Sequence, residues 1–207
     1  MIKTIYTIGH STHSIDYFIH ILKKKNINAL VDIRSSPYSK FANHFNREYI
    51  NKILKNNNID YIFMGDMLGA RWEDKELLFE NGKVNFELVR QTKLFKQGIN
   101  RLINGVNKGY NISLMCSEKE PFDCHRFALV SRYINDINIS HIYPKENEII
   151  EFSQKDLENK MLEKYKKKLP QNNLFNSVSH MEKLNQAYKL RNIDIAYNAL
   201  TKQGDEE

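Results

Sequence analysis

The side chains best suited to chemistry lie close together in one short stretch of this chain. The stretch contains both cysteines, Cys116 and Cys124, together with Glu118, His125 and Arg126. A thiolate is the reactive form of cysteine, and neighbouring cations lower the pKa of a thiol. We therefore predict Cys116 as a catalytic nucleophile and Glu118 as a catalytic carboxylate for proton transfer. An inert, buried Cys116 is the alternative interpretation.

Further polar side chains follow two earlier strand-like segments. His10 comes directly after the first segment, and Asp32 and Arg34 come at the end of the second. Ligands of open α/β proteins bind beyond the carboxyl ends of the strands, where His10 could act as a general base. A hydrogen-bonded structural histidine and a buried Asp32–Arg34 pair are the alternatives. Because arginine binds oxyanions in a fork, we predict an anion site, and its substrate-binding residues are Ser11, Asp32, Arg34, Ser39, Cys124, His125 and Arg126.

Other chemistries of the two thiols are less well matched by the spacing. Phe122 occupies the position at which a cysteine phosphatase has its phosphate-binding arginine. Cys124 could resolve an oxidised Cys116, but the pair is not a Cys-x-x-Cys motif. Both thiols with His10 or His125 could bind zinc, yet the deaminase pattern is missing. We therefore rank a metal below covalent or acid–base chemistry, and we predict neither a metal ligand nor a cofactor.

Strand-like and helix-like patterns alternate along most of the chain. Strands are predicted at residues 5–9, 29–33, 61–63, 112–115 and 139–143. A long helix is predicted over residues 88–106 and a shorter one over 127–134. The alternation predicts an α/β fold with a mostly parallel central sheet of about five strands, flanked by helices in a Rossmann-like arrangement.

The alternation of strand-like and helix-like patterns is interrupted in two places. Residues 64–85 are too long for an ordinary connection and predict a lid carrying Arg71 and Trp72, with a disordered insertion as the alternative. After the last predicted strand come two capping boxes, which begin at Ser153 and Ser179. We therefore predict an α/β domain over residues 1–145 and a C-terminal helical extension over residues 146–207.

The motifs resemble those of the domain-of-unknown-function 488 family, in the same order, over residues 4–142. They are Thr7-Ile8-Gly9-His10-Ser11, Asp32-Ile33-Arg34 with Pro37 and Ser39, Leu68-Gly69, Leu114-Met115-Cys116-Ser117-Glu118 with Pro121, and Cys124-His125-Arg126. Ala70 stands where this family usually has a second glycine. The resemblance implies a bacterial or archaeal cytoplasmic α/β protein, and it implies no particular reaction.

Composition limits the class of protein. The chain has 207 residues, 41% of them hydrophobic, and a formal net charge of +6. No apolar run is long enough to cross a membrane, so we predict a cytoplasmic protein without a membrane partner. The predicted function is a cysteine-dependent enzyme acting on a phosphate-bearing small molecule, a nucleotide or a nucleic-acid component. A non-catalytic nucleic-acid-binding or regulatory module and a thiol redox sensor are the alternatives, and the oligomeric state is not predicted.

Overall fold

Strands and helices alternate in the structure as the sequence predicts. The computed structural model describes residues 3–145, 148–172, 174 and 177–201. Its strands are β1 (Thr4–Gly9), β2 (Ala29–Asp32), β3 (Asp60–Phe63), β4 (Ile112–Cys116), β5 (Asn138–Lys145) and β6 (Glu148–Ser153). Its α-helices are α1 (Ile15–Lys24), α2 (Arg47–Asn56), α3 (Gly65–Leu68), α4 (Phe86–Gln91), α5 (Lys93–Asn107), α6 (Gln154–Tyr165) and α7 (His180–Ile195).

The described strands form one sheet in the order β3-β2-β4-β1-β5-β6. The pairs from β3 to β5 are parallel, and β6 runs antiparallel to β5. The predicted mostly parallel sheet is therefore confirmed. The sequence analysis missed β6, an edge strand with no fully buried residue and therefore without a clear apolar pattern.

Two hydrophobic clusters cover the two faces of the sheet. Leu114 of β4 belongs to the larger cluster, which contains residues of α4, α5, α6 and α7. The next residue, Met115, belongs to the smaller cluster under α1 and α2. Successive side chains of a strand point to opposite faces, so β4 contributes to both clusters. All residues of β2 and β4 are buried, as expected for the central strands of a parallel sheet.

The prediction of one long helix over residues 88–106 is wrong. The structure has two helices, α4 and α5, separated by Thr92. Thr92 has an extended backbone, and its side chain accepts a hydrogen bond from Phe95 N at 3.2 Å. Threonine is a good N-cap, so it begins a new helix here.

The prediction of a regular helix over residues 127–134 is also wrong. A π-helical turn covers Arg126–Val130, and a 3₁₀ turn follows at Ser131–Tyr133. Cys124, His125 and Arg126 are consecutive and all buried. A regular α-helix rotates by about 100° per residue, so it would turn one of the three away from the interior. Widened turns of this kind are frequent at functional sites.

The segment predicted as a lid is folded against the rest of the chain. It contains α3, a 3₁₀ turn at Lys75–Leu77 and an isolated bridge between Leu78 and Val84. The Trp72 indole is partly buried on the larger cluster and donates a hydrogen bond to the Gly69 carbonyl at 2.9 Å. A disordered insertion does not describe this segment, and its closure over a ligand stays a prediction.

The C-terminal helices begin where the sequence predicts. Ser153 and Ser179 both form complete capping boxes. Both helices bury apolar residues in the larger cluster, so they share a core with the sheet. The proposed division at residue 145 stays a prediction, and the final residues of the extension, 202–207, lie outside the described part. No helix in the described ranges has the length and apolar character needed to cross a membrane.

Candidate functional site

The carboxyl ends of three neighbouring strands meet at one edge of the sheet. Gly9 of β1 is paired with Cys116 of β4, and Asp32 of β2 is paired with Met115. The pairing continues past the strands, because His10 N donates to the Cys116 carbonyl at 2.9 Å. This edge carries most of the residues singled out in the sequence, and they divide into two clusters.

The first is the thiol cluster, which comprises Cys116, Glu118, Cys124 and His125. The Glu118 carboxylate oxygen Oε2 accepts a hydrogen bond from Cys116 Sγ at 2.6 Å and lies 3.2 Å from Cys124 Sγ. His125 Nδ1 lies 3.5 Å from Cys116 Sγ and 3.7 Å from Cys124 Sγ. The four potential ligand atoms all lie within 4.8 Å of one another. The two cysteines and the histidine are buried. Glu118 is exposed as a whole residue, but its carboxylate end is turned inward against the two buried sulfurs.

The thiol cluster has supporting contacts outside these four side chains. His125 Nε2 lies 3.1 Å from the Ile33 carbonyl, which can only accept a hydrogen bond. Nε2 must therefore carry the proton when the ring is neutral, and Nδ1 presents a lone pair to the thiols. The Arg126 backbone N–H points at Cys124 Sγ, 3.5 Å away. Contacts of this kind orient the ligands of many metal sites.

Arg126 holds the loop that carries Glu118. Its fully buried guanidinium donates to the Glu118 carbonyl at 2.6 Å and to the Lys119 carbonyl at 3.0 Å. Its Nε has no hydrogen-bond partner among the described residues. The Arg126 guanidinium is thus enclosed by protein. Substrate binding by Arg126 stays a prediction, because none of its donor groups is exposed to solvent.

The two thiols have opposite acidities. Burial raises the pKa of Cys116 well above that of an ordinary thiol, and the hydrogen bond and charge of Cys124 add to the effect. Burial also opposes a Cys124 thiolate, but the hydrogen bond from Cys116 and the charges of Arg126 and His125 outweigh it. The pKa of Cys124 is therefore lowered well below the ordinary value. Cys124, which the sequence analysis predicts as a substrate-binding residue, is therefore the thiol of the pair that loses its proton more readily.

The Cys124 thiolate affects its other neighbours in the same way. Burial lowers the pKa of His125, but the charge of Cys124 and the hydrogen bond to it outweigh burial and raise this pKa overall. Burial raises the pKa of Glu118, and the charge of Cys124 raises it further. The cluster therefore concentrates negative charge that a cation would stabilise.

The second cluster surrounds Arg34. Its Nε donates to Asp32 Oδ1 at 2.9 Å, and one terminal nitrogen donates to Asp32 Oδ2 at 2.6 Å and to the Phe45 carbonyl at 2.8 Å. The Tyr61 hydroxyl also donates to Asp32 Oδ2, at 2.7 Å. Burial works against the charged guanidinium, but the bond to Asp32 and the carboxylate's charge outweigh it and raise the pKa of Arg34. This geometry matches the alternative of a buried Asp–Arg pair that fixes the loop.

His10 is held against the same guanidinium. Its Nδ1 lies 2.8 Å from the Ser11 carbonyl, and its Nε2 lies 3.1 Å from the second terminal nitrogen of Arg34. Nδ1 therefore carries the proton, while the Nε2 lone pair accepts from Arg34. Burial lowers the pKa of His10 to about 4, and the charge of Arg34 contributes. The ring also stacks on Phe45 with a centroid distance of 4.3 Å. Because Nε2 already accepts a hydrogen bond from Arg34, His10 has no free basic nitrogen.

The two predicted serines organise loops. Ser11 has a positive φ of 47°, and its N–H donates to the Ser117 carbonyl at 3.0 Å. Ser39 Oγ accepts from the backbone N–H groups of Phe41 and Ala42. Sequence reasoning missed Tyr61 and the Ile33 carbonyl. For Tyr61 the signal was available, since a β3 residue beside β2 can reach Asp32.

The fold and the thiol cluster define an α/β protein with a cysteine–histidine site at its strand ends. A family model, described as domain of unknown function DUF488, matches residues 14–133, which is more than half of the chain. The chain therefore belongs to the DUF488 family, as the sequence motifs indicated. The match includes the whole thiol cluster and the Asp32–Arg34 pair. No match was found to a curated protein or to a solved structure.

Proposed function

We propose that this protein is a metalloprotein that binds a thiophilic divalent cation, zinc(II) above all, at the thiol cluster. The ligands are Cys116, Cys124, His125 Nδ1 and the Glu118 carboxylate. The observation that carries the proposal is the convergence of four ligand atoms, of the kinds that zinc prefers, within 4.8 Å of one another.

The size of the cluster suits a tetrahedral ion, except that the 2.6 Å spacing between Cys116 Sγ and Glu118 Oε2 would have to lengthen to roughly 3.5 Å as the ion enters. With Zn–S bonds of about 2.3 Å, two thiolates on a tetrahedral ion lie roughly 3.8 Å apart. The spacings of 3.5 and 3.7 Å between His125 Nδ1 and the two sulfurs are close to those that zinc requires. The ion would replace the proton that Cys116 now shares with Glu118, so the raised pKa of Cys116 does not exclude it.

The contacts of His125 give independent support. A neutral histidine that binds a metal through Nδ1 must carry its proton on Nε2, and the Ile33 carbonyl accepts that proton. A carbonyl partner of this kind is usual for metal-binding histidines. A general acid or base in the same place would need a polar route to substrate, and both ring nitrogens are already committed.

We further propose that the centre is catalytic and that Glu118 is its exchangeable ligand. Glu118 alone among the four is an exposed residue, and a catalytic zinc site keeps one position open to water or substrate. Zinc in such a site supplies Lewis acidity and activates water at neutral pH. The reaction class is hydrolysis of a phosphorylated or nucleotide-related substrate, with Arg126 holding the Glu118 loop. The nucleophilic role predicted for Cys116 is replaced by a ligand role.

A thiol redox sensor is the second candidate, and one observation favours it. The Cys116 and Cys124 sulfurs both lie against the same Glu118 oxygen, and Cys124 has the lowered pKa that an attacking thiol needs. A two-electron oxidant of the peroxide class would convert Cys124 to a sulfenic acid, and Cys116 would then form the disulfide and release water. Bound zinc would protect both thiols from this reaction.

The test is metal content with matched variants. Purified wild-type protein should hold about one zinc per chain, and its cobalt(II) form should show thiolate-to-metal charge transfer. Cys124→Ser and His125→Asn should lose the metal, whereas His20→Asn, which changes an exposed histidine on α1, should keep it. A wild-type chain that binds neither ion stoichiometrically would refute the metal centre.

The proposal that the metal centre is catalytic needs a separate measurement. Azide should change the cobalt spectrum of Glu118→Ala strongly, and excess azide should change that of the wild type as Glu118 is displaced. Hydrolysis of nitrophenyl phosphate esters should depend on zinc in the wild type. A cobalt spectrum that azide leaves unchanged in both proteins would make the centre purely structural.

A further inference from the structure

A large cavity lies away from the thiol cluster. It is a groove of about 1260 Å³ between α4, the start of α5, the 3₁₀ turn Lys166–Lys168 and α7. None of the strand-end residues discussed above lines it. We call it the basic groove, because its charged lining residues are Arg90, Lys96, Arg132, Lys167, Lys168, Lys189, Glu87 and Glu182.

The acidic residues of the basic groove do not neutralise its lysines. Glu87 pairs with Arg90 at 2.9 Å, and Glu182 accepts the two hydrogen bonds of the α7 capping box from Ser179. Within the described ranges, four lysines of the groove form no ion pair with a carboxylate: Lys96, Lys167, Lys168 and Lys189. The groove therefore has an uncompensated positive charge.

Two arginines are held side by side at the wall of the groove. Burial lowers the pKa of Arg90, and the positive charge of Arg132 lowers it further, although Glu87 opposes both effects. Arg90 is fixed by the Ala128 carbonyl at 3.3 Å, and the Arg132 guanidinium lies 3.9 Å from the centre of the Tyr188 ring. Both side chains are thus largely buried and positioned, and each has one carboxylate neighbour: Glu87 for Arg90, and Glu158 for Arg132 at 3.9 Å.

We infer that the basic groove binds a small molecule carrying two or more phosphate groups. Guanidinium groups bind phosphate oxygens in a fork, and the unpaired lysines can neutralise a second or third phosphate. The groove is large enough for a nucleotide, since ligand cavities commonly measure about 300–1000 Å³. Arg34 and Arg126, where the sequence placed the anion site, are enclosed by protein groups at the strand ends and do not line this groove.

Binding should be measured by calorimetry at near-physiological salt, with AMP, ATP and inorganic tripolyphosphate as probes. Affinity should rise from AMP to ATP, and tripolyphosphate should compete with ATP. The double variant Lys167→Glu/Lys168→Glu and the single variant Arg132→Gln should each weaken ATP binding by roughly tenfold or more, the loss expected for a charge-assisted phosphate contact.

The matched control is Lys52→Glu/Lys55→Glu, which makes the same change in net charge at two exposed lysines of α2. It should change ATP affinity by less than about twofold if the site is specific, since exposed charges beyond a Debye length are screened. Equal losses in both double variants would reveal non-specific attraction and overturn the inference. Absence of binding to all three probes would also overturn it. A single-stranded oligonucleotide that binds more tightly than ATP, and loses affinity in the groove variants, would assign the groove to nucleic acid instead.

Discussion

Adding one methyl group at Gly9 should disturb the thiol cluster without touching any of its side chains. Gly9 ends β1, directly beside the loop that carries Glu118. A Cβ at Gly9 would overlap the Glu118 carbonyl oxygen and would stand 2.7 Å from the Glu118 carbonyl carbon and 3.1 Å from Lys119 Cα. These are backbone atoms, and the Arg126 guanidinium holds both carbonyls. Gly9→Ala must therefore move the Glu118–Lys119 backbone.

The cost can be worked out from two contributions. Overpacking of a closely packed site destabilises a protein by about 1–3 kcal/mol. Weakening the bonds from the buried Arg126 guanidinium adds about 1–3 kcal/mol, because these bonds satisfy a charged donor. We expect Gly9→Ala to lower the free energy of unfolding by about 2–6 kcal/mol, the sum of the two contributions. Displacement of Glu118 should lower zinc affinity by roughly 10–100-fold, as changes beside metal ligands typically do.

Gly105→Ala is the matched control. A Cβ at Gly105 would meet only the tip of the Ile112 side chain, 2.9 Å away, and that tip can rotate. Alanine also favours a helix interior over glycine by about 1 kcal/mol, so the net change in stability should be small. Urea denaturation measures stability, and competition with a chelator measures zinc affinity. Gly9→Ala with wild-type stability and wild-type zinc affinity would refute the proposed link between the β1 end and the cluster.

Two further predictions concern the helices and the pH dependence of stability. Burial lowers the pKa of His141 to about 4, whereas an unfolded histidine has a pKa of about 6.5. The unfolded chain takes up this proton first, so His141 should cost up to about 3 kcal/mol of stability as the pH falls from 6.5 to 4, and nothing above 6.5. Denaturation at several pH values should show a flatter profile for His141→Gln than for the wild type, and no flattening for the exposed His20→Gln. Arg191 of α7 is buried and donates to the Phe122 carbonyl at 3.1 Å, so Arg191→Met should lower stability by about 2–4 kcal/mol. The exposed Lys189→Met on the same helix should change the free energy of unfolding by less than about 0.5 kcal/mol. If Arg191→Met changed it as little as Lys189→Met does, the contacts of Arg191 on α7 would contribute little to the stability of the fold.

The fold was predictable because its signals are local. Short apolar segments alternate with amphipathic ones, and connection rules then favour a parallel sheet. The missed features depend on details that periodicity does not report. A single threonine, Thr92, divides one apolar stripe into α4 and α5. The edge strand β6 has no regular apolar face to recognise.

The candidate site was predictable in its place and not in its chemistry. The carboxyl ends of parallel strands meet at one edge of the sheet, so the location of the candidate site could be predicted from the topology alone. The burial of Arg34 and Arg126 against protein groups could not be predicted from the sequence. Their partners include the backbone carbonyls of Phe45, Glu118 and Lys119, and because every residue has a carbonyl, residue types do not reveal such contacts. The four side chains of the thiol cluster come together just before the widened turn Arg126–Val130, which the sequence analysis interpreted as part of a regular helix. A Cys-x-Glu spacing followed by Cys-His was the available signal.

The proposed zinc centre would account for the burial of the charged Arg126 side chain beside the thiol cluster. Zinc bound to two thiolates, one carboxylate and a neutral imidazole leaves one net negative charge, which the Arg126 guanidinium would neutralise. Burial of the complete set is then tolerable, since a buried charge requires a partner. If the Glu118 carboxylate moved away from a bound zinc ion and a neutral water took its place, the remaining ligands, the ion and Arg126 would together carry one net positive charge. The centre would then attract an anion only in its open state, so the fixed arginine would couple ligand exchange at Glu118 to the capture of a phosphate-bearing substrate.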